Sequence, residues 1–293
     1  MVNMQDNISI KSKARITEKT ELADGIYSMT LCVDLCGKAE PGQFIMVYPN
    51  NGAKLLGRPI CIASVKKDTA GSGGDLLRIV FRTVGDGTKE IASYREGDSL
   101  FIEGPLGHGY PTDEAISERK QIVLLGGGLG APSLLYLAER LAFLTGTKST
   151  VAENAVPKIP EKPDVTAILG YRDSSLKHFL ADDFRLLGIN TVIATDDGSE
   201  GIKGNVTDAL KETVKKPDLI YACGPLPMLS AVKKYAATSG IRAYISMEER
   251  MACGVGVCLG CVAKTVREDP HSHVKNARVC TEGPVFDANE VDI

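Results

Sequence analysis

The chain has 293 residues, 43% of them hydrophobic and 24% charged, with a formal net charge of −3. That length suits about two ordinary domains, and the composition is globular rather than disordered. A slightly acidic chain also argues against a dedicated nucleic-acid binder, which carries a basic face.

The first ten residues, Met-Val-Asn-Met-Gln-Asp-Asn-Ile-Ser-Ile, have no apolar core of signal-peptide length behind a basic start. No run approaches the ~18 consecutive apolar residues of a membrane span. A cytoplasmic protein is expected. Residues 8 to about 105 read as short strands at 8–16, 25–33, 43–48, 58–64 and 76–84, punctuated by Pro41-Gly42, Asn51-Gly52 and Gly73-Gly74. Such punctuation predicts an antiparallel barrel or sandwich. One short helix interrupts it, capped by Thr88 and running to about Tyr94.

From about residue 120 the pattern changes. The apolar run Gln121–Leu125 leads into Gly126-Gly127-Gly128-Leu129-Gly130, and then Leu134, Leu137, Ala138 and Leu141 fall at helical spacing. Strands are predicted at 165–169, 191–194, 219–222 and 241–246, helices at 206–214 and 228–237. This alternation predicts a parallel sheet covered on both faces. The Lys-, Pro- and Thr-rich stretch Thr145–Pro163 reads as a surface loop. The chain thus divides into a barrel domain (1–115), an α/β domain (116–243) and a small Cys/Gly-rich segment (244–293).

Four of the eight cysteines stand in that last segment. Cys253, Cys258, Cys261 and Cys280 follow C-x4-C-x2-C-x18-C, the plant-type [2Fe–2S] spacing. Two irons need four thiolates, and Gly254, Gly256 and Gly260 let the backbone wrap a compact cluster. A structural zinc site is the alternative, but such sites usually show paired C-x2–4-C knuckles. Cys32 and Cys36 read as small buried hydrophobes. His271 and His273 read as solvated loop residues.

Two further motifs point to dinucleotides. Arg58-Pro59-Ile60-Cys61 lies at a barrel strand; Val80-Phe81-Arg82 and Gly85-Asp86-Gly87-Thr88 follow. Two arginines and a helix N-terminus suit a pyrophosphate, and in a barrel they favour a flavin dinucleotide. Gly126, Gly127, Gly128 and Gly130 sit between a strand and a helix, where a pyrophosphate can approach the backbone. No acidic residue follows at ordinary Rossmann spacing, so the fingerprint is incomplete. Cys223-Gly224-Pro225 closes the last main strand, on the side where ligands of open sheets bind.

In this order, the barrel with Arg-Pro, the Gly-rich turn and Cys-Gly-Pro resemble the ferredoxin–NADP reductase superfamily. The run Met247–Cys261, with Gly104–Gly109 and Thr195–Ser199, is similar to the electron-transfer subunits of dihydroorotate dehydrogenase B. The resemblance covers nearly the whole chain. It implies FAD on Arg58, Pro59, Ile60, Cys61, Val80, Phe81, Arg82, Gly87 and Thr88, and a cluster on the four cysteines. It places Cys223 near a nicotinamide held by the glycines and by Gly224 and Pro225. Cys61 stands where the family usually has serine, a better hydrogen-bond donor than a thiol. The x18 interval is also somewhat longer than usual.

The family implies single-electron exchange with an FMN-containing catalytic subunit, in a heterotetramer of two copies of each. Electrons from dihydroorotate would reach NAD, preferred over NADP, in pyrimidine biosynthesis. No acid or base for orotate chemistry is expected in this chain. The alternatives are a related subunit of a hydrogenase or bifurcating transhydrogenase, and a zinc-stabilised binding protein.

Overall fold

The computed structural model describes residues 10–34, 39–67, 73–112, 121–144, 163–176, 178–269 and 273–293. Cys36, His271 and nearly all of the 145–163 loop lie outside the described residues.

Six strands form the first unit: β1 (Ile10–Ala23), β2 (Ile26–Val33), β3 (Phe44–Tyr48), β4 (Arg58–Lys66), β5 (Asp75–Arg82) and β6 (Ser99–Leu106). They close a barrel in the order β1-β2-β5-β4-β3-β6, every pair antiparallel. Closure leaves no edge strand to be covered. Alternate residues turn inward, so Ile16, Met29, Ile45, Ile62, Ile79 and Ile102 are fully buried in one core. The sixth strand was not foreseen, because Gly104 and Pro105 at its end look like turn residues. Helix α1 (Asp86–Ser93) bridges β5 and β6.

The second unit is a seven-stranded sheet. Its strands are β7 (Gln121–Gly127), β8 (Asp164–Tyr171), β9 (Asn190–Thr195), β10 (Ile202–Lys203), β11 (Leu219–Cys223), β12 (Arg242–Ser246) and β15 (Val285–Asp287). The order is β10-β9-β8-β7-β11-β12-β15, all parallel except β15. Helices α2 (Ala131–Leu144), α3 (Ala181–Leu186), α4 (Val206–Thr213) and α5 (Leu226–Ser239) connect the strands. Successive strands run outward from β7 on one side and from β11 on the other. The switch point therefore lies between β7 and β11, where such sheets bind ligands beyond the strands' carboxyl ends. No helix among the described residues is long and apolar enough to cross a membrane.

Helices α2 and α3 join the two units. Ser64 Oγ on β4 donates to Glu139 Oε2 at 2.7 Å, Tyr136 Oη donates to the Ala39 carbonyl at 2.8 Å, and Arg78 pairs with Asp183. The remaining C-terminal residues add a hairpin, β13 (Val262–Lys264) with β14 (Asn276–Arg278), before returning as β15 to the sheet edge. They are also tied to the barrel: His108 N donates to the Gly283 carbonyl at 2.7 Å, and Met46 and Leu106 share a core with Cys261 and Cys280.

Candidate functional site

Antiparallel pairing puts the start of β4 and the end of β5 at one end of the barrel, beside the N-terminus of α1. Gly85 is the N-cap of that helix, so the expectation that Thr88 caps it is corrected. Thr88 stands one turn in and reaches back instead. Its Oγ1 accepts from Val84 N at 2.9 Å and Gly85 N at 3.2 Å, which satisfies donors a helix start leaves over. The Arg58 guanidinium lies directly over Gly87. A Cβ there would come within 2.1 Å of Arg58 Nε, so only glycine leaves room for it. Arg58 also donates to the Leu56 carbonyl. A fixed guanidinium beside a helix N-terminus is a built anion site.

Other residues of the flavin set are placed differently. Ile60, Val80 and Phe81 are buried and Pro59 is exposed. Arg82 faces a cleft of about 840 Å³ that opens at the switch point.

That cleft is lined by Gly127, Gly128 and Gly130 on one wall and Gly224 and Pro225 on the other. The glycines divide the work. A Cβ at Gly130 would meet the Cys223 carbonyl oxygen at 2.0 Å, so this glycine lets α2 pack on β11. Gly128 has φ +53° with nothing within 4 Å, and its backbone is open to a ligand. Gly126 lies under Ala131 and Leu169 instead of on the cleft wall. A second helix start borders the same cleft: Asn205 caps α4, its Oδ1 accepting from Thr207 N at 2.9 Å. Asp173 and Arg172 follow β8 there. The Asp173 carboxyl is held below its usual pKa by the Ser175 hydroxyl and N–H.

Between barrel and sheet, sequence reasoning missed a cluster of thiols, hydroxyls and one carboxylate. Tyr110 Oη lies 3.3 Å from Ser133 Oγ. Burial, and then the nearby Glu248 carboxylate, pushes Cys61 up to about 12 and Cys223 well above the ordinary thiol value. Glu248 is an exposed residue of the cleft wall, and partial desolvation there raises its pKa. Cys61 and Cys223 thus belong to one neighbourhood although 162 positions separate them. The only signal for Glu248 in the sequence was its place just before the cysteine run.

The four C-terminal cysteines come together as two pairs. Cys258 N donates to Cys253 Sγ at 3.4 Å, and Cys280 N donates to Cys261 Sγ at 3.4 Å. Burial would raise the Cys253 thiol, but N–H donors from residues 255, 257 and 258 outweigh it and bring its pKa to about 7. Among the described residues, no group of three or more His, Cys, Asp or Glu lies close enough together to hold a metal ion. Two irons bridged by sulfide need two protein thiolates each, so the pairing fits a [2Fe–2S] cluster better than one zinc. His273 is exposed and its Nδ1 lies 3.4 Å from Glu268 Oε1. The loop rests on the barrel, since a Cβ at Gly254 would strike Met46 Cγ at 2.8 Å and Leu106 Cδ1 at 3.3 Å.

Known proteins match this arrangement. The iron–sulfur cluster binding domain of dihydroorotate dehydrogenase B matches residues 248–292. The dihydroorotate dehydrogenase B (NAD(+)) electron transfer subunit of Listeria monocytogenes serotype 4a is 35% identical, over 97% of this chain and 100% of its own length. That of Caldanaerobacter subterraneus subsp. tengcongensis is 36% identical, over 96% and 98%. Among solved structures, an NADH-dependent reduced ferredoxin–NADP oxidoreductase studied for flavin-based electron bifurcation superposes with TM-score 0.74. It is 26% identical and covers 95% of this chain and 89% of its own. A ferredoxin NADP+ reductase from Neisseria gonorrhoeae shares the fold at TM-score 0.59 and 16% identity, covering 82% and 94%. With full-length relatives at this identity and the cluster-domain match at its C-terminus, the chain belongs to the family of dihydroorotate dehydrogenase B electron-transfer subunits.

Proposed function

We propose that the chain carries electrons between an FMN-containing dihydroorotate dehydrogenase catalytic subunit and NAD, through a [2Fe–2S] cluster and FAD, in pyrimidine biosynthesis. The observation that carries this reading is the paired cysteine loop seated on the barrel at Met46 and Leu106, which brings a one-electron site against the flavin unit. Residues 1–115 hold FAD in this reading, 116–243 hold NAD and 244–293 hold the cluster. The assembly is two copies of each subunit, in the cytoplasm.

FAD supplies hydride exchange with a nicotinamide and single-electron exchange with the cluster. The chain's own residues bind and orient. Arg58, Arg82 and the α1 N-terminus hold the flavin pyrophosphate, while Gly128 and Gly224 offer the cleft to the nicotinamide dinucleotide. Cys61 and Cys223, with their thiol pKa values raised, would stand protonated beside the bound cofactors. Asp173, ionised at the end of β8, favours a free ribose hydroxyl over a 2′-phosphate and so NAD over NADP. Iron, acid-labile sulfide and flavin assays of the purified chain should give two irons and one FAD, whereas stoichiometric zinc without iron would sink the reading. With the catalytic subunit added, dihydroorotate should reduce NAD faster than NADP. The likeness to the bifurcating oxidoreductase supports a second reading, in which reduced ferredoxin replaces dihydroorotate as donor in the same assay.

The cluster loop is also the docking face in this proposal. Val257 is 79% exposed and Leu259 65% exposed, with Val255 beside them. Apolar residues left open next to a redox centre suit an interface that shortens the electron path. Leu259→Asp should leave the cluster spectrum and NADH oxidation by an artificial acceptor normal. A charge in a buried interface is costly to desolvate, so affinity for the catalytic subunit should fall ~10-fold or more. Unchanged affinity in a binding titration would move the interface elsewhere.

A further inference from the structure

Thr281 follows the fourth cluster cysteine, and the reading of the cluster does not use it. Its Oγ1 is buried and has no hydrogen-bond partner. A buried hydroxyl without a partner is costly, so native structures rarely keep one unless something else accepts its proton. The side chain's surroundings narrow the choice of acceptor. Thr281 and Cys280 line a cavity of about 180 Å³ together with Gly254 and Val255 of the cysteine loop and Pro105–Gly107 at the end of β6. A Cβ on Gly256, at the centre of that loop, would fall 2.8 Å from Thr281 Cγ2 and 3.1 Å from Thr281 Oγ1. The hydroxyl is therefore pressed against the turn that wraps the cluster. The loop's backbone donors are already directed at cysteine sulfurs: Cys258 N, Gly260 N and Cys280 N each lie 3.4 Å from a cysteine Sγ.

The loop is held in this place from outside. Arg278 reaches the Gly256 carbonyl at 3.4 Å and Glu282 Oε2 at 3.0 Å, so the two arms flanking Thr281 are tied to each other. The Oγ1 atom is itself buried, and none of the acceptors among the described residues takes its hydrogen bond. Sulfur is the acceptor chemistry that this pocket supplies once the cluster is bound.

We propose that Thr281 is a positioning residue that donates its hydroxyl hydrogen bond to a sulfur of the [2Fe–2S] cluster and thereby raises the cluster's reduction potential. An added electron increases negative charge on the sulfurs, and a donor aimed at one of them favours the reduced state. The proposal rests on the cluster reading given above. It goes further by naming a side chain, distinct from the four ligands, that sets how readily the cluster accepts an electron.

The experiment is a redox titration of the holoenzyme, followed by electron paramagnetic resonance of the reduced cluster. Thr281→Val keeps the shape and removes the hydroxyl. Its potential should fall by an amount on the order of a tenfold change in the one-electron equilibrium, about 59 mV. Thr281→Ser keeps the hydroxyl and should stay near the wild-type value. Thr281→Ala removes the donor without bulk beside Gly256, and serves if the valine variant does not assemble. Cluster loss in both Val and Ala variants but not in Ser would also place the hydroxyl at the cluster. A normal cluster signal with an unshifted potential in the Val or Ala variant overturns the assignment. Failure of the cluster reading itself looks different: the wild-type protein would then give no reducible [2Fe–2S] signal.

Discussion

Arg58→Ala should purify with its iron–sulfur absorption intact and its flavin largely gone. The Arg58 guanidinium lies over the start of α1, and Gly87 is the gap that lets it lie there. Hydrogen bonds to a charged partner are worth about 1.5–3 kcal/mol each, and a guanidinium can make two to a pyrophosphate. Losing both weakens FAD binding ~100-fold or more, at about 1.4 kcal/mol per tenfold. The cysteine loop meets the barrel at β3 and β6, whereas Arg58 opens β4, so cluster content should not change. Gly87→Ala tests the same geometry from the other side. Its new methyl group would meet only the far end of the Arg58 side chain, which can move aside without disturbing the core. Flavin affinity should fall while thermal stability holds. Full flavin-to-protein stoichiometry after gel filtration of Arg58→Ala would refute the assignment.

Gly130→Ala and Gly128→Ala should fail in opposite ways. At Gly130 the added Cβ would sit 2.0 Å from the Cys223 carbonyl oxygen, 2.3 Å from its carbon and 2.7 Å from Gly224 N. All three are backbone atoms at the end of β11, which cannot turn away as a side chain can. Overpacking of this kind costs roughly 1–3 kcal/mol. Because the two strands that flank the switch point are wedged apart, Tm and nicotinamide binding should drop together. A melting point several degrees lower is expected, at about 2–4 °C per kcal/mol for a unit of this size. At Gly128 nothing in the protein lies within 4 Å, so an alanine meets only the strain of φ +53°. That strain is about 1–2 kcal/mol. Tm should fall by a few degrees from that strain alone, but the methyl group would stand where a dinucleotide must approach the backbone, and KM for NADH should rise ~10-fold or more. Equal Tm losses in the two variants, with KM unchanged in Gly128→Ala, would make both glycines structural and remove the cofactor site from this turn.

How much of the structure is legible in the sequence depends on how far apart the interacting residues lie. The cysteine ligands, the Gly-rich turn and the alternation of strands and helices were legible because each is written within a few neighbouring positions. Local spacing dictated the cluster type, since four thiolates at these intervals suit two irons whatever surrounds them. The strand β6 and the final strand β15 were not legible. The first ends in Gly-Pro, and the second is only three residues long. The capping of α1 was misplaced by three positions, because a threonine that bonds back to a helix start looks in sequence like the cap itself.

The sequence by itself determined the cysteine spacing that suits a cluster, the order of barrel strands and strand–helix alternation, and the family resemblance, since these depend on residue types at short spacing. Only the tertiary structure decided which glycine is needed for packing and which leaves open space beside its backbone, because that depends on what a Cβ would strike across the strand. It alone brought Cys61, Cys223 and Glu248 into one neighbourhood and seated the cysteine loop on Met46 and Leu106. Those contacts join positions scores of residues apart, and their geometry is set by barrel closure and sheet order, which no local pattern encodes.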